Sequence, residues 1–153
     1  MRSRTSILTD TEHNLLKLVS DCLIPANETM PAASEVKTHE FIDTLIQNKP
    51  QLRRLFLEGI RQINDTAFES GETFDAMNGI DREVILKKIE DSNLEFFGEL
   101  VNQTYNAYYT SPRVLILIGK GSDPPQPKGY SLEKGDLSLL EAVQNRGQIW
   151  RDS

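Results

Sequence analysis

The sequence predicts an all-α fold, a small irregular bundle of about five to six helices with an extended Pro/Gly-rich C-terminal strap. Three observations carry this reading. Apolar residues recur at three- and four-residue spacing along most of the chain from Leu15 to Tyr108, the period of a helix with one buried face. Capping residues, a helix-starting proline and glycine stops punctuate those stripes. At 153 residues the chain also has the size of one domain with a single core.

Thr9-Asp10-Thr11-Glu12 has the S/T-x-x-E form of a capping box, in which hydroxyl and carboxylate each satisfy a backbone N–H at the helix start. Leu15, Leu18, Val19, Cys22 and Leu23 then mark one face of a first helix ending near Pro25. Residues 26–34 hold Asn27 and Pro31 and predict a loop. Phe41, Ile42, Leu45 and Ile46 give a second helix a narrow apolar face, with its exit at Asn48-Lys49.

Pro50 suits the first turn of a third helix, where its missing N–H is harmless. Leu52, Leu55, Phe56, Gly59, Ile60, Ile63 and Ala67 trace one stripe along it. Gly59 costs about 1 kcal/mol of helix propensity relative to Ala, which a close helix approach would justify. Gly71 is the stop, and Thr73 to Met77 can form a single turn. A fourth helix is expected to start on Asp81 as N-cap, with Ile80 and Ile85 as a hydrophobic staple and Ile85 and Ile89 facing inward.

Ser92 with Glu95 predicts another capping box for a fifth helix, whose stripe is Phe97, Leu100, Val101, Thr104, Tyr105 and Tyr108. Its tyrosines are expected at the rim of the core. Ser111-Pro112 is an N-cap and N1 pair, so Val114 to Ile118 reads as a short helix ended by Gly119, although five residues also allow a strand. Asp123-Pro124-Pro125-Gln126-Pro127 is expected to be extended, because successive prolines fix φ and remove donors. Beyond Tyr130, Asp136 can cap a last helix bearing Leu137, Leu140 and Val143. The expected organisation is a helical domain over 1–130 and a tail over 131–153 that contacts a partner.

Composition narrows the function. The net charge is −6, with Lys and Arg scattered among the acids, so no basic stripe exists to neutralise a phosphate backbone and nucleic acid is not an expected partner. The single cysteine, Cys22, excludes an intramolecular disulfide and sits among apolar neighbours. Arg2 and Arg4 are not adjacent and no apolar stretch follows them, so self-directed export is not expected; cytoplasm is placed ahead of periplasm. The longest strongly apolar run, Val114 to Ile118, falls far short of the roughly 20 residues that cross a bilayer, so membrane insertion is not expected.

A search for chemistry finds none. His13 and His39 lack the Glu-x-x-His pairs of a di-metal bundle and read as two solvated surface histidines. Ser20, Asp21 and Ser34 belong to no G-x-S-x-G elbow. Gly119-Lys120-Gly121-Ser122 lacks phosphate-loop spacing and runs into Pro124 instead of a helix. The glutamates lie on caps and outer faces. No catalytic, cofactor-binding or metal-binding residue is therefore assigned.

What stands out is aromatic. Tyr105, Tyr108 and Tyr109 fall within five residues, next to the Thr110-Ser111-Pro112 helix stop, and Gly129-Tyr130 ends the strap. Tyrosines with an apolar body and a polar tip are enriched at interfaces. Tyr105, Tyr108, Tyr109, Pro112, Gly129 and Tyr130 are accordingly the expected partner-binding residues.

The chain resembles the gluconate 2-dehydrogenase subunit 3 family. The resemblance is carried by Leu23-Ile24-Pro25-Ala26, Pro31-Ala32-Ala33-Ser34-Glu35-Val36 leading to Phe41-Ile42-Asp43, Phe56 with Gly59, and Gly71 with Phe74. It continues through Arg82 with Ile85, Phe96-Phe97, Tyr108-Tyr109-Thr110-Ser111-Pro112, Leu117-Ile118-Gly119 and Gly129-Tyr130, covering about residues 10 to 130. It implies a helical subunit without its own active site. Its partner would be a large flavoprotein of the glucose-methanol-choline (GMC) type, holding FAD and oxidising a sugar hydroxyl, with a cytochrome c often receiving the electrons in such complexes. Relatives of this kind often begin with a twin-arginine signal, whereas Arg2-Ser3-Arg4 here is followed by polar residues. From the residues alone, a rival reading is a free-standing helical module that binds a small ligand or a regulatory partner between its helices.

Overall fold

The computed structural model describes residues 6–119. Among them are six α-helices, one 3₁₀ turn and no strand: α1 (Asp10–Leu23), the 3₁₀ turn (Ala33–Val36), α2 (Thr38–Asn48), α3 (Pro50–Glu69), α4 (Gly79–Ser92), α5 (Leu94–Tyr109) and α6 (Pro112–Leu117). The all-α expectation is met. The strap, the helix expected after Asp136, Gly129 and Tyr130 lie outside the described residues.

Helix α1 starts on the expected capping box: Thr9 Oγ1 accepts from the Glu12 N–H, and the Glu12 carboxylate accepts from the Thr9 N–H at 2.8 Å. Leu15, Leu16 and Val19 go inward. On α2, Ile42 and Ile46 are buried as the stripe predicts, but Phe41 is exposed and Asp43 takes the inward place beside Ile42. The apolar face is thus narrower than the sequence suggests. Arg53 closes the end of α2, donating to the carbonyls of Ile46 and Gln47 at 3.2 and 2.7 Å.

Helix α3 forms as expected, with Pro50 in its first turn and Phe56, Gly59, Ile60, Ile63 and Ala67 buried. Gly59 meets the ring of Phe96 from α5, and a Cβ built there would fall inside that ring's van der Waals envelope. The missing side chain is therefore the space into which a neighbouring helix packs. Phe96 is held in turn by Phe56, edge to face at 5.6 Å.

Two helix starts differ from expectation. Asn78, not Asp81, caps α4: its Oδ1 accepts from the Asp81 N–H at 3.0 Å, and Gly79 lies inside the helix. Ile80 is consequently exposed on the first turn and no staple forms. Likewise Asn93, not Ser92, caps α5, accepting from the Phe96 N–H at 3.2 Å, while Ser92 closes α4. Both sites hold two side chains able to cap within three residues, and the earlier or later one wins according to which lets the apolar stripe face the core. With α5 starting at Leu94, Phe96, Leu100, Thr104, Ala107 and Tyr108 are buried, whereas Phe97 and Val101 are half-buried and Tyr105 is exposed.

A main core gathers residues from α1 to α5, together with Leu8, Phe74 and Met77 from the connecting segments. A second, smaller cluster of Ala33, Tyr108 and Val114, flanked by Ile24, Met30 and Val36, joins the 3₁₀ turn to the end of α5 and to α6.

Candidate partner-docking surface

The last turn of α5 sorts its three tyrosines by helical angle. Tyr105 and Tyr109 stand one turn apart and share a face, and their rings stack at 5.9 Å between centroids, 16° from parallel. They are 41% and 48% exposed. Tyr108, on the neighbouring face, is turned to the interior. It is 1% exposed, and its hydroxyl donates to the Pro31 carbonyl at 2.7 Å. Burial, with Tyr109 and the Glu35 carboxylate nearby, pushes its phenol above the usual tyrosine range, so the group is a neutral hydrogen-bond donor.

This corrects the expectation for Tyr108. Its side chain is an interior anchor that ties the chain segment at Pro31 to the end of α5, and it also holds the edge of Tyr109 at 5.2 Å. Among the described tyrosines the surface pair is Tyr105 and Tyr109, with Pro112 exposed one turn later at the start of α6.

Helix α6 buries only Val114. Ile116 and Leu117 on the helix and Ile118 at its C-cap are all exposed, so the end of α6 presents three consecutive apolar side chains to solvent. Arg113 bonds to the Glu35 carboxylate at 3.2 Å and so clips α6 to the 3₁₀ turn. Between α6 and the loop 26–31 lies an open groove of about 640 Å³, bounded by Met30, Pro31, Glu35, Arg113, Ile116 and Leu117, among others. The loop is pre-shaped: Asn27 Oδ1 accepts from the N–H groups of Thr29 and Met30, both at 2.9 Å, and Asp21 accepts from the Ser34 N–H at 2.8 Å.

The sequence does not announce that these residues form one groove. The signals were present in part: Asn27-Glu28-Thr29 is a side-chain-capped turn, and Ile116 to Ile118 are apolar on every side of a helix too short to bury them all. What no local pattern announces is that Tyr108 and Pro31, distant in sequence, meet.

The histidines also need correction. His13 and His39 are partly buried and meet edge to face, 6.0 Å between centroids. His13 bonds to Ser6 Oγ at 2.9 Å, and its Nε2 lies 3.7 Å from the Asp43 carboxylate. Asp43 is the hub there. It accepts from the N–H groups of Ile7 and Leu8 at 3.2 and 3.3 Å and from the Gln47 amide at 2.9 Å, pinning the segment that leads into α1. Among the described residues no group of three or more His, Cys, Asp or Glu is placed to hold a metal ion. Burial raises the Cys22 thiol above its ordinary value, so the cysteine is a protonated, half-buried filler at neutral pH.

Burial holds His39 below the ordinary histidine value, a shift that Glu40 opposes and His13 and Lys17 reinforce. The unfolded chain then takes up this proton at a higher pH than the folded one. Stability is full above the unfolded histidine range and falls as pH drops from there through the lowered folded value. Denaturant unfolding from pH 7.5 to 5.5 is expected to show this loss, and His39→Gln to flatten the slope. An identical slope in the variant would assign the pH dependence to other groups.

No helix of the described residues is long and apolar enough to cross a membrane. A sequence profile described as gluconate 2-dehydrogenase subunit 3 matches residues 10–116, from the start of α1 into α6. No curated protein and no solved structure matches the chain.

Proposed function

The chain belongs to the gluconate 2-dehydrogenase subunit 3 family, and from that premise we propose that it is a non-catalytic accessory subunit of an FAD-dependent sugar or sugar-acid dehydrogenase. In this reading it supports the folding, stability and maturation of a large GMC-type flavoprotein. FAD and the reacting sugar belong to that partner, and a cytochrome c is the electron acceptor of the assembly. This chain contributes a surface.

The observation that supports the reading most is the exposed, pre-organised apolar end of the molecule. The Tyr105–Tyr109 stack, Pro112 and the side chains of Ile116 and Leu117 lie along the last turn of α5 and on α6. Both elements are fixed from beneath by Tyr108 and Val114 and from the side by the Arg113–Glu35 pair. Rigid aromatic side chains on a stiff platform lose little entropy on association. The free-standing alternative calls for a deep enclosed site and no exposed tyrosines, and the open groove and half-exposed pair favour the subunit.

Co-expression tests it. The large dehydrogenase subunit is produced with and without this chain, and soluble, flavin-loaded enzyme is measured. Several-fold more flavin-loaded enzyme is expected in the presence of the chain. Equal yield and equal activity both ways would end the proposal.

A further inference from the structure

We infer that the α3–α4 turn is a second docking surface, shaped for a basic, apolar-studded segment of a protein partner. It shares no residue with the tyrosine surface and does not depend on what binds there. Phe68 at the end of α3 is 76% exposed, and Ile80 at the start of α4 is 75% exposed. Val84, one turn after Ile80 on the same face, is also exposed. Helix α4 sends Ile85, Leu86 and Ile89 into the core, so Ile80 and Val84 form an outward apolar strip with no covering element among the described residues. A shallow groove of about 390 Å³ runs beside Val84, between residues 70–72 and 81–85, with the buried Met77 in its lining.

Charge selects the occupant. Glu69, Glu72 and Asp81 are exposed at this turn, and Glu72 and Asp81 line the groove beside Val84. Arg82 is the single cation from residue 69 to 84, and it is used internally, donating to the carbonyls of Phe74 and Asp75 at 2.9 and 2.7 Å over the Phe74 ring. Positive charge resumes one turn beyond Val84 with Lys87, bonded to Glu90, and Lys88. Carboxylates beside the exposed Ile80–Val84 strip repel nucleic acid and acidic bilayers. They attract a peptide segment that alternates cations with apolar side chains, the cations lying over the turn. The platform is rigid, with Asn78 capping α4 and Arg82 bracing the turn.

The test uses the full chain, isotopically labelled, titrated with an amphipathic peptide of leucine and lysine and with its leucine–glutamate counterpart. The leucine–lysine peptide is expected to shift the amides of residues 68–84 saturably, and to bind more weakly as salt rises from about 0.05 to about 0.5 M. The double change Ile80→Glu and Val84→Glu is expected to weaken binding by about tenfold or more. Both side chains are exposed, so the unfolding midpoint serves as a control. Glu69→Gln and Glu72→Gln together should flatten the salt dependence. Equal binding of the leucine–glutamate peptide, shifts confined to α6, unchanged affinity in the folded double variant, or the same amide shifts with acidic lipid vesicles would each overturn the inference.

Discussion

Replacing Gly59 with alanine is expected to destabilise the protein by about 2 kcal/mol, against the sign that helix propensity alone would give. In an exposed helix interior, Gly to Ala is worth about 1 kcal/mol of stabilisation. At this site the new methyl would enter the space of the Phe96 ring, a rigid group that is fully buried and braced by Phe56. Forcing extra volume into a well-packed core costs about 1–3 kcal/mol, and the upper end applies because the ring has no flexible end to swing away. For a chain of this size the midpoint of thermal unfolding should fall by roughly 4–8 °C. The deciding measurement is a double-mutant cycle with Phe96→Ala. With the ring gone, Gly59→Ala should become neutral or stabilising, whereas an unchanged cost in that background would show that the clash is not the cause.

Tyr108→Ala is expected to lower stability by about 3–5 kcal/mol, the range for removing a buried aromatic. Two losses combine here: the ring at the centre of the smaller core and the hydroxyl that satisfies the Pro31 carbonyl. Tyr108→Phe isolates the second, because it keeps the ring and leaves that buried carbonyl without its donor, at about 1–3 kcal/mol. Hydrogen exchange should also speed up in residues 26–31, since the bond is what ties that loop to α5. Tyr109→Ala provides the contrast. Its half-exposed side chain should change folding by well under about 1 kcal/mol, while weakening the proposed complex with a large dehydrogenase subunit by about 1–2 kcal/mol, roughly five- to thirty-fold. If Tyr109→Ala unfolded the chain, or Tyr108→Phe left stability untouched, this division between anchor and surface would be wrong.

That division was only half legible in the sequence. Helical spacing puts Tyr105 on one stripe with Tyr108 and one turn before Tyr109, but does not tell which of the three is turned to water. The answer comes from Pro31, Ala33 and Val114, which reach Tyr108 from a loop, a 3₁₀ turn and another helix. Asp43 illustrates the same limit. A carboxylate on an apolar face reads as a surface residue until the backbone of Ile7 and Leu8 arrives to donate to it. The caps of α4 and α5 are ambiguous for a local reason: Asn78 and Asp81, like Ser92 and Asn93, are rival acceptors close together, and only packing chooses between them.

The sequence by itself determined the helical class, the order of the helices, the capping box of α1, the start of α3 at Pro50 and the need for a close neighbour at Gly59. These rest on interactions within one or two turns, which the neighbouring residues specify completely. Only the tertiary structure decided that Phe96 is that neighbour, that Tyr108 lies inside while Tyr105 and Tyr109 stay outside, and that α6 leaves its apolar side chains at the surface. The physical reason is that burial depends on which distant segments arrive at a face, and periodicity describes a face without naming what covers it.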